Sequence, residues 1–194
     1  NKELAEYFVS LGVDVNAISD EGETALMEAC ESGNKELVEY LVSKGADINA
    51  GSKFGKSATI HACYSGNKAL VEYLVSLGAG VNVRSQSFRS ALMHACEYGY
   101  KELAEYLISK GADVNAKNII GETMSVYACE YAYKELAEYL ISKGADVNAE
   151  PVIGRTALMH ACKCGNKELA EYLISKGVDV NAKNIIGETA LVRA

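Results

Sequence analysis

The sequence predicts an all-α solenoid, a single curved array of 33-residue helix-turn-helix-finger units stacked along residues 1–194. Three observations carry that prediction. The phrase Gly-Ala-Asp-Val-Asn-Ala, or a near variant, ends at Ala17, Ala50, Val83, Ala116, Ala149 and Ala182, always 33 residues apart and with no insertion or deletion. Glycines precede it at one phase (Gly12, Gly45, Gly78, Gly111, Gly144, Gly177), and asparagines close it at another (Asn16, Asn49, Asn82, Asn115, Asn148, Asn181). Between these marks the apolar residues recur at helical spacing. A lone unit of this size cannot bury its apolar face, so the core is a ribbon shared between neighbours, and function comes from the surface of the stack.

The elements follow in order. A partial unit, 1–18, begins at Asn1, which aligns with Asn34 at the start of a second helix. Five full units follow at 19–51, 52–84, 85–117, 118–150 and 151–183, and a partial unit, 184–194, closes the chain. Within a unit, Thr24 caps a first helix whose packed face is Ala25, Leu26, Ala29 and Cys30. Gly33 breaks that helix at a position suited to positive φ. Asn34 caps a second helix, Lys35 to Lys44, with Leu37, Val38, Leu41 and Val42 on its apolar side. Gly45 ends it, and an extended finger leads to the next unit. Thr156, Gly165, Asn166 and Gly177 repeat the frame. Both ends fall mid-unit without a polar capping repeat, so the chain is expected to be an ordered segment of a longer protein.

Composition excludes several classes. Net charge is −7, which disfavours nucleic acid and anionic membrane surfaces as partners. The apolar runs are too short for a membrane span, and no signal-peptide pattern opens the chain. One proline and no tryptophan leave little room for a linker.

The motif Gly154-Arg155-Thr156-Ala157-Leu158-Met159-His160-Ala161-Cys162-Lys163-Cys164-Gly165, echoed from Asn184 to Ala194, resembles the ankyrin-repeat family over essentially the whole chain. The departures are regular. The family proline is replaced at Ala25, Ala58, Ala91, Met124, Ala157 and Ala190, and the family histidine at Met27, Ile60, Met93, Val126, Met159 and Val192. Since that histidine ties neighbouring units in the family, apolar packing is expected to replace it here. Residues 101–116 recur identically as 134–149, which points to recent duplication or a consensus design. Off-pattern residues argue for natural origin: Thr59 and Ser125 in leucine slots, and Phe88 and Ala132 in glycine slots.

Cys30, Cys63, Cys96, Cys129 and Cys162 share one phase, with Cys164 the sixth thiol. Neighbouring helices lie about 8–10 Å apart, too far for the roughly 7 Å Cα separation a disulfide tolerates. The ladder therefore reads as small buried hydrophobes in a reducing compartment, cytoplasmic or otherwise intracellular, with Cys164 exposed. His61, His94 and His160 each stand two residues before a cysteine, so the two side chains of a pair point to different faces and cannot share an ion. These histidines are expected to be exposed positions, interchangeable with Glu28, Tyr127 and Arg193. No metal, cofactor or catalytic constellation is expected: there is no Ser-His-Asp order, P-loop or dinucleotide fingerprint.

Of twelve tyrosines, six recur on the second helices (Tyr7, Tyr40, Tyr73, Tyr106, Tyr139, Tyr172) and are expected to pack. The others, Tyr64, Tyr98, Tyr100, Tyr127, Tyr131 and Tyr133, gather at the first helices of the three central units. The resemblance implies that first helices line a concave groove edged by the fingers. Tyr64, Tyr98 and Tyr131 are expected to form a stripe there with steps of about 10 Å, Glu97 and Glu130 lying beside them. Lys53, Lys56, Arg89 and Arg155 decorate the fingers. A second patch is expected at the finger tips, where Ile119-Ile120, Val152-Ile153 and Ile185-Ile186 stand in positions the family usually fills with polar residues, with Phe54 and Phe88 nearby. The resemblance further implies that finger asparagines can be hydroxylated by an asparaginyl hydroxylase favouring a leucine six residues before the aspartate. Leu107 with Asp113 and Asn115, and Leu140 with Asp146 and Asn148, keep that arrangement.

The expected function is a non-catalytic scaffold that binds a protein or peptide through groove and tips. The alternatives are a substrate-positioning or regulatory module of a larger enzyme or channel, and a designed repeat scaffold with no natural ligand. Self-association through the tips is the competing use of the same surface.

Overall fold

Thr24, Ser57, Ser90 and Thr156 sit in extended backbone, and their hydroxyls accept the N–H groups of Met27, Ile60, Met93 and Met159 three residues on. Such caps matter because helices of two turns are marginal by themselves and draw their stability from packing. In the computed structural model, which describes residues 1–194, these caps open the short first helices α2 (Ala25–Glu31), α4 (Ala58–Tyr64), α6 (Ala91–Glu97) and α10 (Ala157–Lys163). The remaining first helices are α8 (Met124–Glu130) and the truncated α12 (Ala190–Arg193). Second helices are α1 (Lys2–Ser10), α3 (Lys35–Ser43), α5 (Lys68–Ser76), α7 (Lys101–Ser109), α9 (Lys134–Ser142) and α11 (Lys167–Ser175). Asn34, Asn67 and Asn166 cap α3, α5 and α11 through their side chains, whereas Tyr100 and Tyr133 stand at the starts of α7 and α9 with no side-chain cap bond.

First helices pack on first helices and on their own second helices, giving an all-helical solenoid with only three isolated bridges, inside the fingers. One continuous core of 40 buried residues runs from Leu26 to Ala190. Met27, Ile60, Met93, Val126 and Met159 are buried along it, so apolar packing does occupy the slot discussed above. Helix α1 buries none of its residues, and Leu4 and Phe8 on it are exposed.

The asparagines of the repeated phrase join units rather than merely closing a turn. Asn115 Nδ2 donates to the Gly144 carbonyl at 3.0 Å, and its Oδ1 accepts the Asp146 N–H at 2.8 Å. Asn16, Asn82 and Asn148 make the same two bonds to the following unit.

Phe88 (φ 58°) and Ala132 (φ 59°) are the non-glycine residues with positive φ, and both stand where other units carry glycine. Each adopts a left-handed backbone that costs an L-residue about 1–2 kcal/mol. Ala132 escapes a second penalty. A methyl on Gly66 would come within 2.6 Å of the Tyr100 ring, and one on Gly99 within 2.7 Å of Tyr133. The residue at the same 34-residue spacing from Ala132 is the smaller Asn166.

Candidate partner-binding groove

The groove is built from the finger turns upward. At the base of each turn a short polar side chain ties the backbone: Ser52 Oγ accepts the Lys56 N–H, Ser85 Oγ accepts the Arg89 N–H, and Asn118 Oδ1 accepts the Glu122 N–H. Successive fingers are joined by single backbone bonds, Gln86 N–H to Phe54 O at 2.7 Å, Ile119 N–H to Ser87 O at 2.9 Å and Val152 N–H to Ile120 O at 2.7 Å. This aligns the fingers and turns one residue of each, at the phase of Lys56, toward the first helices.

Those residues meet the helices through a polar ribbon. The Lys56 ammonium lies 5.5 Å from the centre of the Tyr64 ring. Arg89 pairs with Glu97, and its guanidinium covers the Tyr127 ring at 5.3 Å. Asn118 Nδ2 donates to both Glu122 and Tyr127 Oη at 2.9 Å. Glu188 pairs with Arg193 at 2.7 Å. Lys56, Glu122, Glu130, Arg155 and Lys163 have no ion-pair partner along the same surface.

The histidines correct the sequence expectation: His61, His94 and His160 are buried, not exposed, because each faces the first helix of a neighbouring unit. His61 Nδ1 lies 2.7 Å from Glu31 Oε2, and its Nε2 lies 2.9 Å from Glu23 Oε2 without hydrogen-bond alignment. His94 Nε2 lies 3.5 Å from Tyr64 Oη, while its Nδ1 has no hydrogen-bond partner. Burial, and then the Arg89 and Lys56 cations, hold His94 down to about 3. Burial holds His160 down to about 4; Glu122 opposes the shift, and Arg155, Lys163 and Arg193 add to it. Both imidazoles are therefore neutral near pH 7.

The tyrosine stripe needs a correction as well. Tyr64 is 34 residues before Tyr98, one position off the repeat, so it ends α4 while Tyr98 and Tyr131 follow α6 and α8. Tyr64 is accordingly half-buried against His94, with ring centres 4.6 Å apart, and meets Tyr98 edge-on at 6.4 Å. Tyr98 and Tyr131 are each 46% exposed and stack on Tyr100 and Tyr133 at 5.7 and 6.0 Å. Glu97 is engaged by Arg89. Glu130 is free of such a partner, and burial with the neighbouring Glu122 raises its carboxyl above the usual range. Tyr127 is buried, which pushes its hydroxyl up to about 12.

At the finger tips Phe54, Phe88, Ile119, Ile120, Val152, Ile185 and Ile186 are exposed, and Ile153 is half-buried. Asn115 and Asn148 are exposed, but both ends of each side-chain amide are committed to the next unit. Of the second-helix tyrosines, five are half-buried, and Tyr40, Tyr106, Tyr139 and Tyr172 lie beneath a lysine four residues on; Tyr7 is exposed.

The family model described as "Ankyrin repeats (3 copies)" matches residues 1–52, 49–118 and 92–184. This chain belongs to the ankyrin-repeat family. The crystal structure of the human ASB11 ankyrin repeat domain superposes on it with a TM-score of 0.85 and 26% identity, covering 97% of this chain and 85% of that one. No curated protein sequence matches it. Ankyrin repeats are generally protein–protein interaction modules and are typically non-catalytic. No helix of this array is long and apolar enough to cross a membrane.

The thiols follow the packing. Cys30, Cys63, Cys96 and Cys129 are buried, and burial drives the first two and Cys129 up to about 12. Cys162 departs from the buried ladder and is half-exposed. Cys164 is exposed, with Sγ 3.2 Å from the Glu130 carbonyl. Titration of the native ankyrin array with a thiol reagent is expected to label Cys164 first, Cys162 more slowly, and the other four only on unfolding. Labelling of all six at one rate, or three disulfides in the isolated protein, would contradict this packing.

Proposed function

We propose that this ankyrin array is a non-catalytic scaffold that binds a protein or peptide across the first helices and fingers of its central units. The observation that carries the reading is the pair of stacked tyrosine couples, Tyr98 on Tyr100 and Tyr131 on Tyr133. Each offers a half-exposed ring held in place by its neighbour. Pre-ordered tyrosines give large contact area with little entropy left to lose. Beside them, Glu130 and the finger cations supply both signs of charge, which suits a mixed-charge protein segment rather than a polyanion.

Among the finger residues, Phe88 supports a secondary contact. Phe88 holds a left-handed backbone while its ring is 52% exposed, so the fold gives up stability to present an aromatic at the groove edge. The buried, unpaired thiols agree with a reducing compartment.

Replacing Tyr98 and Tyr131 together by alanine is expected to weaken partner binding at least about 30-fold, since interface aromatics each contribute about 1–2 kcal/mol or more, while circular dichroism stays unchanged. Ile119→Asp with Ile186→Asp is expected to alter only self-association, read by analytical ultracentrifugation. A neutral tyrosine pair, with binding lost instead in the isoleucine variant, would move the interface to the tips.

A further inference from the structure

The groove carries charged side chains of both signs in a regular order along the stack. One cleft, of about 380 Å³, lies between the fingers and first helices of units 52–84 and 85–117. Phe54, Lys56, Tyr64, Arg89 and His94 line it. Arg89 is neutralised by Glu97, so Lys56 supplies the unspent charge there. Buried His94 turns its Nδ1 toward the Glu97 carboxylate, 3.6 Å away. A second niche, of only about 10 Å³ and so no larger than a water molecule, is lined by Arg155, His160, Lys163 and Arg193. Arg193 is spent on Glu188, Arg155 and Lys163 are unpaired, and buried His160 leaves Nε2 without a partner. Each place therefore holds cations without a counter-charge, Lys56 in one and Arg155 with Lys163 in the other, which suits a carboxylate.

Acidic units alternate with these places. Glu23, Glu28 and Glu31 precede the first, and unpaired Glu122 and Glu130 precede the second. Between them the Arg89–Glu97 pair neutralises itself. Lys56 and Arg155 are 99 residues apart, three periods of the array. Three steps of about 8–10 Å span about 24–30 Å, which an extended chain at about 3.3–3.6 Å per residue covers in about seven to nine residues.

We propose that the groove binds an extended protein segment bearing two acidic side chains about eight residues apart, each preceded by a basic residue two or three positions earlier, with uncharged residues between the two halves. The acidic side chains pair with Lys56 and Arg155 at the groove surface, and the basic ones face Glu23, Glu28 and Glu31 and then Glu122 and Glu130. This rests on the binding role of the groove set out above and adds the chemistry of the ligand.

The test is selection of a displayed library of random 16-residue peptides on the whole array, followed by fluorescence anisotropy of the enriched sequences. The expected result is enrichment of the stated charge spacing. A scrambled peptide of equal composition should bind at least tenfold more weakly. Lys56→Glu and Arg155→Glu should each lose about tenfold, and a peptide with lysine in place of the corresponding acidic residue should recover that loss. Recovery also shows that the variants are folded. Peptides that require Tyr98 and Tyr131 but carry no charge spacing would overturn the register and leave the groove as the binding surface. No enrichment, or enriched peptides indifferent to both sets of residues, would overturn register and groove together.

Discussion

Acidification from about pH 7.5 to about pH 5 is expected to cost the array about 4 kcal/mol of stability, about 2 from each of His94 and His160. Both residues are buried, at 3% and 4% exposure, and their folded-state protonation lies near 3 and 4, against about 6.5 in an unfolded chain. Between those limits only the unfolded chain takes up the protons. The stabilising contribution is therefore complete above about pH 6.5 and is lost progressively as the pH falls toward 4. The surroundings offer little rescue. His94 faces Arg89, Lys56, His61 and Tyr64, and the Glu97 carboxylate 3.6 Å away is already paired with Arg89. His160 faces Arg155, Lys163 and Arg193 against Glu122 alone. Urea unfolding at the two pH values measures the loss, and His94→Gln with His160→Gln should flatten it. An unchanged pH dependence in that double variant would contradict the assignment.

The second large effect lies in unit 118–150. Met124 and Ser125 occupy the slots filled by Ala91 and Leu92 or Ala157 and Leu158 elsewhere, so bulk is moved one residue along and a hydroxyl is left in the core. Ser125 Oγ is buried without a partner, Thr123 makes no cap bond, and Ala132 has positive φ. An unsatisfied buried hydroxyl costs about 1–3 kcal/mol and a left-handed alanine about 1–2. Amide exchange is therefore expected to be faster at 123–133 than at 156–166. Met124→Ala with Ser125→Leu restores the repeat and should stabilise together with Ala132→Gly by about 2–4 kcal/mol. Ser125→Leu alone should gain less, since Met124 leaves the added bulk in the core uncompensated. Equal exchange in the two segments, or no gain in the triple variant, would show that compensating contacts have absorbed the cost.

The stack was legible because its determinants are local and repeated. Thr24 and Asn34 announce helix starts, the glycines demand positive φ, and Phe88 and Ala132 stand out in glycine slots before any coordinates are known. The groove was legible only in part. Tyr98 and Tyr131 follow from their shared phase, and Lys56, Arg89 and Arg155 could be placed on fingers. What they touch could not, since Arg89 meets Glu97 eight residues away and His61 meets Glu31 thirty residues away. Burial of the histidines was missed for the same reason. Their phase matches exposed Glu28, and only the neighbouring unit decides whether the position is covered. The alternation of Glu23, Lys56, Arg89, Glu122, Arg155 and Glu188 at one phase was the available signal for the polar ribbon.

Amide hydrogen exchange of the array with and without a selected peptide tests the binding surface most directly. Protection is expected at residues 54–64, 86–98, 119–131 and 152–163, which carry the fingers and first helices of the four units from Lys56 to Arg155, with helices 101–109 and 134–142 unchanged. Protection confined to those second helices, or to the ends of the stack, would contradict a groove-binding scaffold.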